Sequence, residues 1–226
     1  MISVTLFSLR PKMEGLNFVA TGVFLSLLIL FAEISSADEE ARRHWEERYA
    51  TPEYIYGKEP TEFLRDNVDL IPKGKALVLA MGEGRNAVFL AQNGFEVEGC
   101  DISTNALEKA RRLAEERGVS LKAFQADVEN YQLPTEAYDV VTCFYYLQRD
   151  LIPQMKKALK PGGMIIMETY TKDNLKYGFT GPKNPEYLLD TNELLRLFSD
   201  LKVILYREMV VDGRKAVASI IAQKVE

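Results

Sequence analysis

From Ala76 onward the chain alternates short apolar runs with stretches of helical periodicity, and this alternation limits the available folds more than any other feature. The spacing predicts strands over Ala76–Ala80, Phe95–Cys100, Leu121–Phe124, Tyr138–Phe144 and Met164–Thr169. It predicts helices over Asn86–Gln92, Ser103–Arg117, Ile152–Leu159 and Asn192–Phe198, the last behind an Asp190…Glu193 capping pattern. Leu107, Ala110 and Leu113 recur at helical spacing, and Gly118 stands where that helix should end. YDVVTCF is nearly all apolar, which suits a strand covered on both faces. Two last strands, Lys202–Glu208 and Ala216–Gln223, flank Asp212-Gly213, a pair that favours a tight hairpin. Strands alternating with helices imply an α/β fold, a parallel sheet with helices on both faces. The hairpin adds one antiparallel strand. Ligands in such sheets sit at the carboxyl ends of the strands, near the point where strand order reverses.

The net charge of −5 argues against a nucleic-acid backbone as partner. Two cysteines, Cys100 and Cys143, with no C-x-x-C, argue against a zinc site or a disulfide framework. Both lie within expected strands and read as small buried fillers. His44 is the only histidine, so a multi-histidine metal cluster or a histidine triad cannot be built, and no metal is expected. Residues 1–37 differ from the rest. Leu16–Ala32 carries no charge, Arg10 and Lys12 precede it, and small residues follow at Ser35-Ser36-Ala37. It reads as a cleaved signal peptide or an uncleaved membrane anchor through residues 16–32, with a buried helix or an upstream start as the plainer alternatives. The charge bias would send the remaining domain, 38–226, across the membrane. The domain begins with a segment, 38–72, that has no place in the alternation. Ala41–Tyr49 is a charged helix with Trp45 and Tyr49 on one side. Tyr54-Ile55-Tyr56-Gly57 is turn-like, and a helix restarts over Pro60–Leu70.

The first strand runs into Gly82-Glu83-Gly84-Arg85-Asn86-Ala87, which fits G-x-G-x-x-A, the fingerprint of a loop that lets a dinucleotide approach the backbone. Asp101 ends the second strand, where a carboxylate can accept from both hydroxyls of a ribose. A nicotinamide cofactor and S-adenosylmethionine (SAM) are both open at this point. Asp127 ends the third strand in QADVEN, where it can accept from an adenine amino group, and little chain remains for a second mononucleotide unit. These features and the antiparallel close favour SAM.

The segments GEGRNAVFLA, GCDIS, ADVENY, YDVVTCFYYLQR, LKPGG and METY resemble those of class I SAM-dependent methyltransferases, and more narrowly the tellurite-resistance and thiol methyltransferase-like group. The resemblance implies a Rossmann-like seven-stranded sheet of order 3-2-1-4-5-7-6 with strand 7 antiparallel. It implies SAM over Met81, Gly82 and Gly84, ribose on Asp101, and adenine between Ile102 and Val128 with its amino group on Asp127. The chain departs from the family at two places. Val78 replaces the usual acidic residue and Ala80 the usual first glycine, which removes a water-mediated anchor for the SAM amino group.

Methyl transfer asks for alignment and dryness more than for acid–base chemistry, since the sulfonium already activates the methyl group. No general base is expected. Phe144 and Tyr145 follow the fourth strand and are expected to wall the methyl group. Arg149 is a candidate to hold an anionic substrate, and Tyr54 and Tyr56 are candidates for a lid over it. Lys109, Arg111 and Arg112 read as a solvated helix face. The expected activity is methylation of a small molecule, a thiol or a chalcogen or metalloid oxyanion first. The rivals are a membrane-tethered SAM-binding protein without catalysis and an NAD-dependent oxidoreductase. The leader points to export or membrane attachment and the cofactor to the cytosol. The oligomeric state is not legible.

Overall fold

The computed structural model describes residues 39–177 and 180–225; the apolar stretch 16–32 lies outside them. Arg42–Glu226 forms one compact unit. No helix among the described residues is long and apolar enough to cross a membrane.

Seven strands form one sheet in the order β3-β2-β1-β4-β5-β7-β6. They are β1 (Lys75–Leu79), β2 (Glu96–Asp101), β3 (Lys122–Gln125), β4 (Tyr138–Phe144), β5 (Leu159–Tyr170), β6 (Lys202–Val211) and β7 (Lys215–Gln223). The first five are parallel, and β7 runs antiparallel between β5 and β6. The helices are α1 (39–49), α2 (Glu62–Asn67), α3 (Arg85–Gln92), α4 (Thr104–Glu116), α5 (Ile152–Ala158), α6 (Asn174–Tyr177) and α7 (Glu193–Leu197). The order expected from the resemblance is the order found.

The strands are central because their residues tolerate cover on both sides. Val140, Val141 and Cys143 of β4 are buried, and the two main clusters of core side chains divide these strands between the two faces. Leu77, Leu79, Val141 and Cys143 pack on one face; Ala76, Val78 and Val140 pack on the other. Cys100 and Cys143 are both buried and free, as β2 and β4 lie on opposite sides of β1. One strand spacing is about 4.8 Å, so two exceed disulfide reach. Burial pushes both thiols up to about 12.

Two boundaries differ from expectation. β5 starts at Leu159, not after Pro161-Gly162-Gly163, because Leu159 already pairs with Tyr138 and the ladder then shifts register. A Cβ on Gly163 would meet the carbonyl oxygens of Lys160, Asp139 and Tyr138 at 3.0–3.2 Å, so a larger residue there needs that backbone to give way slightly. The final strands extend to the hairpin itself. Asp212 and Gly213 have φ of 53° and 64°, a left-handed pair in a three-residue loop in which the Arg214 amide donates to the Val211 carbonyl at 3.0 Å.

Candidate cofactor and acceptor site

Between β1 and α3 the backbone turns left-handed three times, at Ala80 (φ 47°), Gly82 (φ 54°) and Gly84 (φ 87°). The two glycines serve different neighbours. A Cβ on Gly84 would lie 2.6 Å from the Cβ of Ala110, so this glycine lets α4 pack against the loop. A Cβ on Gly82 would point at the Tyr49 hydroxyl, 3.0 Å away. Met81 is buried, its sulfur in the space that Gly99 leaves empty on β2. Val78 is buried in β1 and Ala80 bears the left-handed turn that a glycine would hold without strain.

Asp101 ends β2 and is buried. Its Oδ2 accepts from the Gly82 amide at 2.8 Å and its Oδ1 from the Ser103 amide at 3.0 Å. The carboxylate therefore fixes the loop and the entry to α4 together. Burial raises its pKa, while the backbone donors pull the other way. A carboxylate can accept about four hydrogen bonds, so room remains for a ribose diol. Ala126 is tied to Asp101 by a backbone bond of 3.1 Å, which brings Asp127 and the buried Val128 beside Ile102. Asp127 accepts from the Glu129 amide (3.0 Å) and from Asn130 Nδ2 (2.8 Å), closing a small turn.

The N-terminal segment is pinned to this loop at two places. Glu46 on α1 accepts from Ser103 Oγ (2.7 Å), the Thr104 amide (2.8 Å), the Asn105 amide (3.0 Å) and the Thr104 hydroxyl. It caps α4 from a distant part of the chain. Partial burial pushes its pKa up, but those hydrogen bonds outweigh it and bring it to about 2. Trp45 stacks on Tyr49 at 5.7 Å, and Tyr49 is buried over Gly82. Burial, then the nearby Asp101, raise the Tyr49 pKa.

The second pin is Glu83, the residue between the two glycines. Its carboxylate accepts from the Ile55 and Tyr56 amides at 3.0 and 3.1 Å and pairs with Lys109 Nζ at 2.8 Å. Glu83 and Lys109 are each 2% exposed at the side chain, so this is a buried ion pair. Lys109 also donates to the Glu53 carbonyl at 2.6 Å. This corrects the reading of Lys109 as part of a solvated face; Arg111 and Arg112 are exposed as expected. Arg85 Nη1 donates to the Tyr56 carbonyl (2.9 Å), and Asn86 Oδ1 accepts from the Thr61 amide (2.8 Å).

At the end of β4, Phe144 is buried and Tyr145 turns left-handed (φ 60°), a costly conformation for an aromatic residue. The Tyr145 hydroxyl donates to Glu168 Oε1 at 2.6 Å and accepts from Lys215 Nζ at 2.9 Å. The buried Glu168 also accepts from Ser219 Oγ (2.6 Å) and Arg207 Nη2 (3.1 Å). Burial, then Glu168, raise the Tyr145 pKa, so the hydroxyl stays protonated. The Arg85 guanidinium lies 5.7 Å from the centre of the Tyr145 ring, and Tyr170 packs beside that ring at 5.1 Å.

Of the four residues assigned to the acceptor, the structure brings Tyr56 and Tyr145 together through Arg85. Tyr54 and Arg149 have other partners. The Tyr54 hydroxyl donates to the Lys109 carbonyl at 2.9 Å and packs the segment on α4. Arg149 pairs with Glu193 at 2.6 and 3.0 Å and donates to the Glu186 and Leu188 carbonyls, bracing 185–193. His44 is exposed on α1. Sequence reasoning missed Glu46, Glu83, Arg85, Glu168 and Lys215. Glu168 was the most visible of these, a lone carboxylate in the apolar run MIIMETY.

Residues 76–163 match the family model described as a methyltransferase domain. That span is similar to methyltransferase domains, and the sheet around it has the order of strands found in such folds. The matched span takes in the glycine loop, Asp101, Asp127 and Tyr145. A ubiquinone biosynthesis O-methyltransferase of Vibrio atlanticus (strain LGP32) is 29% identical over 66% of this chain. The chain spans 65% of that relative's length. Two solved structures share the methyltransferase fold at low identity. TehB from Haemophilus influenzae has a TM-score of 0.60 at 22% identity, over 71% of this chain and 61% of its own. Geranyl diphosphate C-methyltransferase from Streptomyces coelicolor A3(2), in complex with S-adenosyl-L-homocysteine, has a TM-score of 0.61 at 16% identity, over 83% and 98%.

Proposed function

We propose that this protein transfers a methyl group from S-adenosylmethionine to a small molecule. The observation that carries the reading is the shared carboxylate of Asp101, which holds the Gly82 loop and keeps acceptor capacity at the place a ribose would occupy. The glycine loop would take the methionyl part, Ile102 and Val128 the adenine, and Asp127 its amino group. Phe144 and Tyr145 would border the methyl group.

The acceptor atom in this reading is acidic in its own right, a phenolic hydroxyl or a thiol. Such a group reaches the anionic state without a strong base, and the protein's part is to align it with the sulfonium and keep water out. Alignment of this kind supplies roughly 7–11 kcal/mol of a barrier. The name of the Vibrio relative favours oxygen; the resemblance of the sequence to thiol methyltransferases favours sulfur. A panel of catechols and aryl thiols, scored for S-adenosylhomocysteine formed, decides between them. The stretch 16–32 we read as a signal or an anchor, which mass measurement of the mature N-terminus tests.

Asp101→Ala tests the cofactor site. Titration calorimetry should show SAM weakened by roughly 2–4 kcal/mol, the scale of charge-assisted hydrogen bonds lost with a partner left unpaired. Unchanged affinity in a folded variant would sink the assignment, and tight NADH binding in place of SAM would favour an oxidoreductase.

A further inference from the structure

Next to the cofactor loop, charge accumulates without balance. Arg85 leaves that loop and lies 5.7 Å from the centre of the Tyr145 ring; Lys215 lies 5.2 Å from the same centre. Arg85 donates to a neutral carbonyl, that of Tyr56, and Lys215 to a neutral hydroxyl, that of Tyr145. Neither forms a salt bridge among the described residues. The carboxylates reached through these partners are Glu83, by the Tyr56 amide, and Glu168, by the Tyr145 hydroxyl; Lys109 already matches the first at 2.8 Å and Arg207 the second at 3.1 Å. Four cations thus share two carboxylates. Both Arg85 and Lys215 are partly buried, where poor screening makes an unpaired charge costly.

The position gives this excess a use. Tyr145 stands at the carboxyl end of β4, beside β1, where the parallel strand order reverses. SAM over the ends of β1 and β2 would leave the ends of β4 and β5 to the second reactant. Lys215 opens β7 at that same edge, because β7 runs antiparallel and its Val217 pairs with Tyr170 at the end of β5.

We infer that the methyl acceptor carries an acidic group, a carboxylate or its like, held by Arg85 and Lys215 beside Tyr145. This inference rests on the methyltransferase reading and goes beyond it by naming the substrate class. The Tyr145 hydroxyl, fixed between Lys215 and Glu168, would set the depth to which the acid enters. Guanidinium and ammonium groups on either side would orient the molecule with its nucleophile toward the methyl group.

The test uses matched probes that differ in one acid: 3,4-dihydroxybenzoate against catechol, and 4-mercaptobenzoate against thiophenol. Each is titrated into the full chain with S-adenosylhomocysteine bound, or into the free chain if that nucleoside does not bind. The wild-type protein should bind the acid-bearing member at least tenfold more tightly. Lys215→Met and Arg85→Met should each shrink that preference severalfold, and Lys215→Arg should restore most of it. Melting curves confirm that each variant is folded. Equal binding of both members to wild type overturns the inference. So does a preference that survives intact in both Met variants. If the same variants instead weaken S-adenosylhomocysteine and leave acid preference alone, the cofactor's own carboxylate claims these cations, and the inference fails while the methyltransferase reading stands. If S-adenosylhomocysteine never binds, that reading fails, and the probe preference still reports on the anion site.

Discussion

Asp101 is a carboxyl group held in a place that disfavours its charge. Its pKa is raised in the folded protein, with burial the main cause. The free folded state therefore keeps a proton that the unfolded chain has lost, over a window starting at the ordinary value of 3.8. The stability contributed by Asp101 is full below that value and declines as pH rises through the raised pKa. Ribose hydroxyls would donate to the charged form and lower the pKa again. SAM binding should then release a proton in that window, and affinity should rise with pH through it. Calorimetry in buffers of different ionisation enthalpy measures the proton directly; no release would mean that the ribose lies elsewhere. Ala80 gives a second test at this scale. Its left-handed backbone costs roughly 1–2 kcal/mol, and the flexibility of glycine returns part of the gain from relieving it. Ala80→Gly should raise stability by about 0.5–1 kcal/mol, a rise in melting temperature on the order of 2 °C.

At the scale of elements, sequence periodicity located the sheet because each parallel strand is a short apolar run bounded by a turn. It placed Asp101 and the glycine loop for the same reason: both stand where a strand stops. What it could not supply were partners distant in the chain. Lys109 looked like one cation among three. Yet it shares a helical phase with Ala106, Ala110 and Leu113, all buried, and the phase was the available signal. Glu83 carries no sign of its role in the local sequence, because its partners lie about thirty residues before it and 26 after it. The stretch 171–190 has no strong period and is held by side chains, as by Arg149 at one end and by Asn174, which accepts from the Ala216 amide. Glu83→Gln tests the inner pin. It leaves the Lys109 ammonium buried without an opposite charge and should cost roughly 3–5 kcal/mol in denaturant melts. Glu46→Ala tests the outer pin and should cost about 1–2 kcal/mol, the range of a lost helix cap. Since the Glu46 pKa is depressed to about 2 from 4.5, its contribution is present above pH 4.5 and lost as pH falls toward 2. A cost in Glu46→Ala that stays constant across that range would remove the cap from the account.

In the whole molecule, residues 42–61 stand apart from the sheet. They contribute no strand and only Tyr49 and Thr61 to the fully buried set, so their attachment is mainly polar, through the two pins and the bonds of Tyr54, Arg85 and Asn86. Such a segment opens at a lower free energy than the strands do. Limited proteolysis of the chain without cofactor should therefore cut first in the exposed stretch 50–53. S-adenosylhomocysteine should slow that cut, because it would hold Asp101 and the glycine loop that carries Glu83. Equal cutting with and without the nucleoside would show that loop and segment move independently. Removal of 41–59 should leave the sheet folded and reduce turnover on the order of 10³-fold through lost alignment and dryness.

The inner pin also bears on how such a protein can change over generations. Glu83 and Lys109 grip Ile55, Tyr56 and Glu53 by amide and carbonyl groups, which every residue but proline carries. Substitutions at positions 55 and 56 therefore leave the grip intact while altering what, in the proposed function, would face an acceptor. A lineage could trade one acceptor for another by drift in those side chains alone, without first losing the closed arrangement on which every variant would depend.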